Sequence, residues 1–239
     1  MISEKFYVGY SDINKEFELS NTAILKHFQN LTTIHGALVN DSLLTSDYAW
    51  FLTAYHVKIF NRPKYESWVT YSTWSTKIKG FLASREFEIR DDNENLMLSA
   101  LANYVRVNKT TQKIERISSD IISGYGENEK TNFNEVWIPK LNEGENLIYE
   151  KEYFIDRNFI DVNNHVNNVS YLELANLALP EEVYKEKESL EFEIMYKKAV
   201  KCYQTIKCKY YEESNHYIVA AKSLDDTELF AIIKFYKNN

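Results

Sequence analysis

Polar and apolar positions change period several times along the chain, and the order of the changes repeats. Residues 6–10 form a short aromatic stretch with the composition of a strand. Ser20, Asn21 or Thr22 can then cap a helix in which Ile24, Phe28, Leu31 and Leu38 fall near the spacing of one helical face. From Tyr48 the period drops to two. Residues 50–60, 68–78, 81–90 and 96–107 read as four strands. The segments between them, Asn61-Arg-Pro63, Lys79-Gly80 and Asp91-Asp-Asn-Glu-Asn95, carry turn chemistry.

The second half follows the same plan. Residues 148–155 predict a strand, and 167–179 a helix with Val169, Leu172, Ala175 and Leu179 on one side and Pro180 at its end. Residues 190–196, 205–211, 216–222 and 229–236 predict four more strands. A polar stretch of about 110–144, holding Gly124, Gly126, Pro139 and Gly144, separates the halves. The expected organisation is a first unit over 1–112, a connector over 113–145 and a second unit over 146–239. A strand, a helix and a four-strand meander, written twice, predict an α+β tandem repeat with a curved antiparallel sheet around a long helix in each half. Pairing two units in one chain would cover sheet edges that one unit leaves open.

Composition narrows the function. The 239 residues are 44% hydrophobic and include 18 Tyr and 13 Phe, too apolar and aromatic for a disordered chain. A net charge of −7 argues against a nucleic-acid or anionic-membrane partner. Nothing approaches the roughly 18 apolar residues of a membrane span. The start, Met1-Ile-Ser-Glu-Lys, lacks the basic and apolar regions of a signal peptide, so a cytoplasmic location is expected. Cys202 and Cys208 have no metal-ligand spacing and read as reduced packing thiols. Phosphate-loop, zinc-protease and serine-hydrolase motifs are absent.

One segment concentrates polar chemistry. Asp161, Asn163, Asn164, His165, Asn167 and Asn168 stand within eight residues, immediately before the second helix. They suit a loop whose Asx side chains make turns and cap the helix. They equally suit a site in which an imidazole moves a proton, a carboxylate orients it and carboxamides hold a carbonyl or water. The N–H groups of the helix start would favour developing oxyanion charge.

The run Asp161-Val-Asn-Asn-His-Val-Asn-Asn168 resembles the catalytic motif of the plant and bacterial acyl-acyl carrier protein (ACP) thioesterases. The resemblance extends through Trp50-Phe-Leu-Thr-Ala-Tyr-His-Val-Lys-Ile59, Arg62-Pro63 and Ser72-Thr-Trp74. It continues through Ser84-Arg-Glu-Phe-Glu-Ile-Arg-Asp91 and Tyr104-Val-Arg-Val-Asn-Lys-Thr110, so that it covers about residues 6–236. It implies a tandem hotdog fold and hydrolysis of a fatty acyl-ACP thioester to a free fatty acid, a step of fatty acid metabolism, without a cofactor. By position, Asp161, Asn163 and His165 are the implied catalytic residues. His165 would position thioester and water, Asp161 would orient the network, and Asn163 would hold the thioester or tether His165. The first half would hold the acyl chain, with Ile24, Phe28 and Leu31 as tunnel candidates or as plain core. Related proteins are often homodimers.

The chain also departs from that pattern. Related enzymes usually carry a Glu that activates water in a strand reading Tyr-x-Lys-Glu; here the residues are Tyr196-Lys-Lys-Ala199. Glu193 is no substitute by register, because six residues of strand span roughly 20 Å. Asp161 or Glu173 could serve as base instead. Ala54 stands where related sequences commonly have Arg. A weakly active relative that only binds acyl chains or acyl-ACP, and a thioesterase of coenzyme A esters, are therefore the alternatives. An acidic carrier protein would be repelled by a chain of charge −7, so a local basic patch is needed. Lys197, Lys198 and Lys201, in the stretch 194–211 that also holds Lys207 and Lys209 and no acidic residue, are the candidate docking cations.

Overall fold

The period-two stretches become strands because their apolar faces lie against a helix. In a computed structural model, described over residues 1–238, the chain forms two units, Met1–Ile138 and the chain from Pro139 onward. The first unit runs β1 (Ile2–Tyr7), α1 (Asn21–Leu38), β2 (Tyr48–Ile59), β3 (Trp68–Lys79), β4 (Leu82–Asp91), β5 (Leu96–Asn108) and α2 (Ser119–Tyr125). Its antiparallel strands pair in the order β1-β3-β4-β5-β2. The second unit runs β6 (Leu147–Ile155), α3 (Asn168–Ala178), α4 (Glu181–Lys185), β7 (Glu191–Tyr196), β8 (Gln204–Glu212), β9 (His216–Ser223) and β10 (Leu229–Tyr236). Its order is β6-β8-β9-β10-β7, the same path with each strand replaced by its counterpart. The fold is the α+β tandem repeat that the pattern predicts and the tandem hotdog that the family resemblance implies.

The long helix of each unit begins at a side-chain cap. Ser20 Oγ accepts the Ala23 N–H at 3.2 Å and starts α1. Asn167 Oδ1 accepts that of Val169 at 2.9 Å and starts α3. Ile24, Leu25, Phe28 and Leu31 form the buried face of α1, and Phe28 stacks on Phe87 of β4 with ring centroids 4.3 Å apart. Val169, Leu172 and Ala175 do the same for α3. Burying such side chains is worth about 1.5–3 kcal/mol for each large one, which outweighs the weak intrinsic stability of a short helix.

Two local expectations differ, and the connector takes part in the packing of the first unit. Leu38, read as part of the apolar face of α1, is 67% exposed, because it is the last helical residue and the chain turns away at Asn40 (φ 60°). The first strand lies earlier than residues 6–10: it ends at Tyr7, and Asp12 Oδ2 accepts the Gly9 N–H at 3.2 Å, drawing Tyr10 into a 3₁₀ turn. Residues 113–138 are no free linker. Thr131 and the Asn132 backbone bond the buried Glu86 carboxylate, Lys130 and the Asn132 amide bond Glu88, and Ser84 donates to Val136 O. The segment thus covers the polar face of β4, which would otherwise bury the Glu86 carboxylate without a partner.

Candidate active site

The segment 161–168 folds as a tight turn tied by one carboxylate. Asp161 Oδ1 accepts the N–H groups of Asn163 (2.8 Å) and His165 (3.4 Å), and its Oδ2 accepts the Asn163 side-chain amide (3.3 Å). The Asp161 N–H donates to His165 O at 2.8 Å, and Asn164 closes the turn at φ 60°. Asn tolerates that left-handed conformation better than other non-glycine residues. Val166, buried, then bridges Ile160 and donates to Val200 O at 2.9 Å. The turn therefore leads straight into the cap of α3.

Asp161, Asn163 and His165 are brought together, but through the backbone. The carboxylate holds the loop, and the Asn163 amide points back at Asp161. The half-buried His165 imidazole makes no hydrogen bond with any described residue. Both ring nitrogens are thus free for a ligand.

Two tyrosines that the motif does not contain complete the surroundings. The buried Tyr171 hydroxyl accepts the Val200 N–H at 3.1 Å and donates to Lys198 O at 3.4 Å, clamping the segment that carries Ala199. Burial pushes its pKa up to about 12, the Val200 N–H opposes that, and the nearby Asp161 charge adds to it. Tyr196 donates to Asn168 O at 3.0 Å and meets Tyr171 edge-on. The signal for both was their position, one turn into α3 and at the end of β7. Residues 197–200 lie in a loop after β7, which ends at Tyr196 as the sequence predicts, and Ala199 is exposed. Glu193 lies on β7, bonded by Tyr236 at 3.1 Å and 3.9 Å from Lys234.

Two family models match the chain: the acyl-ACP thioesterase N-terminal domain over residues 1–125 and the acyl-ACP thioesterase C-terminal domain over 143–237. The chain belongs to the acyl-ACP thioesterase family. Among solved structures it is similar to an acyl-ACP thioesterase from Bacteroides thetaiotaomicron (TM-score 0.83, 18% identity, 98% of this chain and 96% of that one). It is similar to the same degree to the 12:0-ACP thioesterase from Umbellularia californica (TM-score 0.83, 17% identity, 98% and 96%). At such identities the likeness shows the fold. No curated protein sequence matches the chain.

The other residues that the family resemblance implied are placed as follows. Ile24, Phe28 and Leu31 are buried in the core of the first unit. A crevice in that unit is lined on the helix side by Thr32. Lys207 and Lys209, read with the docking stretch as accessible cations, are not free. Asp226 meets both at 2.7 Å, and Glu150 lies 3.6 Å from Lys207 and 3.9 Å from Lys209. Lys198 is paired with Glu228. Lys197 and Lys201 are exposed, and Lys140 adds a neighbouring positive charge at Lys197. Cys202 and Cys208 are both free thiols; Cys208 is buried, which pushes its pKa up to about 12. Among the described residues, no helix is long and apolar enough to cross a membrane.

Proposed function

We propose that the protein hydrolyses fatty acyl-ACP thioesters, releasing a free fatty acid, with His165 as the proton-transfer group. The observation that carries this reading is the unbonded imidazole on a turn held rigid by Asp161 at the start of α3. Water attacks the thioester carbonyl carbon and gives up its proton to the imidazole. The carbon–sulfur bond then breaks, and the proton passes to the departing thiolate, leaving acid and thiol. The helix start favours the oxyanion on the way. Asn163 is placed to hold the thioester or the water once its amide leaves Asp161. Lys197 and Lys201 are the cations left to receive an acidic carrier, with Lys198 recruited when its pairing with Glu228 opens. Reversing Lys197 and Lys201 to Glu raises KM for the carrier-bound substrate at low salt and not at high salt.

Ala199 supports a second reading, an acyl-binding relative with little turnover, because the usual carboxylate is missing from an exposed position. One experiment separates the two: release of fatty acid from a panel of acyl-ACP thioesters, with His165→Ala as control. Release that vanishes in the variant carries the thioesterase reading, and binding without release carries the second. Running coenzyme A esters beside the ACP esters shows which thiol the site accepts.

A further inference from the structure

The first unit buries a cation that no acid neutralises. Arg85 of β4 is 6% exposed and points at α1, where its Nη1 donates to His35 Nδ1 at 2.9 Å and to Thr73 Oγ1 at 3.1 Å. Its Nε and Nη2 make no hydrogen bond with the described residues, and none of their carboxylates pairs with it. His35 accepts through Nδ1, so it cannot be the counter-charge; burial and the adjacent guanidinium hold its pKa at about 4, and the ring is neutral. Asp41 lies close by but is saturated: Arg106, Ser46, Trp50 and Tyr125 all donate to it. Burial lowers the guanidinium pKa, and the groups that oppose this are Tyr104, Tyr125 and Tyr55. A guanidinium stays charged even so. An isolated buried charge is costly, and such a cost is relieved by an anion.

That cation faces space. Arg85 lines a crevice that is partly open to solvent. The walls include Trp50, Ile78 and Ala83, and Ser75, whose buried Oγ has no hydrogen-bond partner. One planar donor edge and one spare hydroxyl, beside the apolar groups of Trp50, Ile78 and Ala83, match a carboxylate attached to hydrocarbon. A phosphate would bring a second negative charge against a single guanidinium.

We propose that this crevice is a carboxylate-binding site, with the free Nε and Nη2 edge of Arg85 holding the anion and Ser75 Oγ beside it. Two sources present such a group: a free fatty acid, or the far end of an acyl chain that itself terminates in a carboxylate. Only the choice between them rests on the thioesterase reading above.

The test uses the whole protein with hexanoate and, as an uncharged match, hexan-1-ol. Titrations followed by NMR at the Trp50 indole and Arg85 Nε–H signals show both moving with hexanoate and the Arg85 signal unmoved by hexan-1-ol. Arg85→Met weakens hexanoate on the order of tenfold or more, the loss of a charge-assisted bond, and leaves hexan-1-ol unchanged. Equal binding of acid and alcohol, or an Arg85 Nε–H signal indifferent to hexanoate in the unmodified protein, overturns the site whether or not the variant folds. Adipoyl-ACP and hexanoyl-ACP, six carbons each, then separate the sources. A KM about tenfold lower for the adipoyl ester that is lost in Arg85→Met assigns the site to the acyl tail. Equal KM values with hexanoate still bound assign it to free acid. If neither ester is hydrolysed, the thioesterase reading fails while the hexanoate result stands.

Discussion

Before α1, Asn14 Oδ1 accepts the N–H groups of Glu16 (3.0 Å) and Glu18 (3.1 Å); before α3, Asp161 Oδ1 does the same for Asn163 (2.8 Å) and His165 (3.4 Å). The match continues through the turn. Asn14 N–H donates to Glu18 O and Asp161 N–H to His165 O, both at 2.8 Å, and Phe17 and Asn164 both sit at φ 60°. Leu19 donates to Pro63 O at 2.8 Å, as Val166 does to Val200 O at 2.9 Å. Ser20 and Asn167 then cap their helices. His165 therefore occupies the place of Glu18, and Ala199, one residue before Val200, the place of Arg62.

The difference lies in what fills those two places. In the first unit Arg62 donates to Leu19 O (2.8 Å) and Asn21 Oδ1 (2.9 Å) and lies 3.9 Å from Glu18. In the second, the imidazole has no hydrogen-bond partner among the described residues, and the short Ala199 stands at the position of Arg62. A shared turn with an Asx acceptor explains the position of Asp161 without any chemistry. On the proposed reading, the chemistry rests on the imidazole and not on the turn.

The largest effect expected from this contrast is at the histidine. His165→Ala lowers acyl release by about 10²–10⁴-fold with an unchanged thermal midpoint, the usual size for losing a proton-transfer group. Glu18→Ala at the matching place leaves release intact; a loss in both variants would mean that the turns matter only as scaffolds. At the acceptor, Asp161→Ala strands two N–H groups and costs about 1–2 kcal/mol in chemical unfolding. Asp161→Asn stays within about 0.5 kcal/mol, because Asn14 performs that task in the twin turn. Restoring a long side chain opposite the imidazole is the third. Ala199→Glu increases release about tenfold if a carboxylate there activates water, and no increase assigns activation to another group.

The smallest effect is at a second histidine. His35 is buried against Arg85, with its pKa lowered to about 4 from 6.5. The unfolded chain binds that proton first, so this contribution is complete above about pH 6.5 and is lost as pH falls toward 4. His35→Gln narrows the difference in thermal midpoint between pH 7 and pH 4.5.

Much of this was legible along the chain because it is local. The two helices, their caps at Ser20 and Asn167 and the strands of both sheets follow from period and turn chemistry. Leu38 was misread because an apolar residue at the right angle says nothing about whether the sheet extends that far. Lys207 and Lys209 were misread because Asp226, their partner, arrives from the β9–β10 turn. The motif 161–168 was conspicuous, yet its residues alone left open whether Asp161 serves the imidazole or the loop.

The sequence by itself determined the repeat, the order of its elements and the segment that carries the candidate chemistry, since each depends on neighbours a few residues apart. Only the tertiary structure decided that Asp161 spends its oxygens on N–H groups of its own loop, that Tyr171 clamps the Ala199 loop, and that Arg85 is buried without an acid. Whether a polar group has a partner depends on which atoms from distant strands, helices and loops come within about 3 Å of it. Spacing along the chain does not encode that directly.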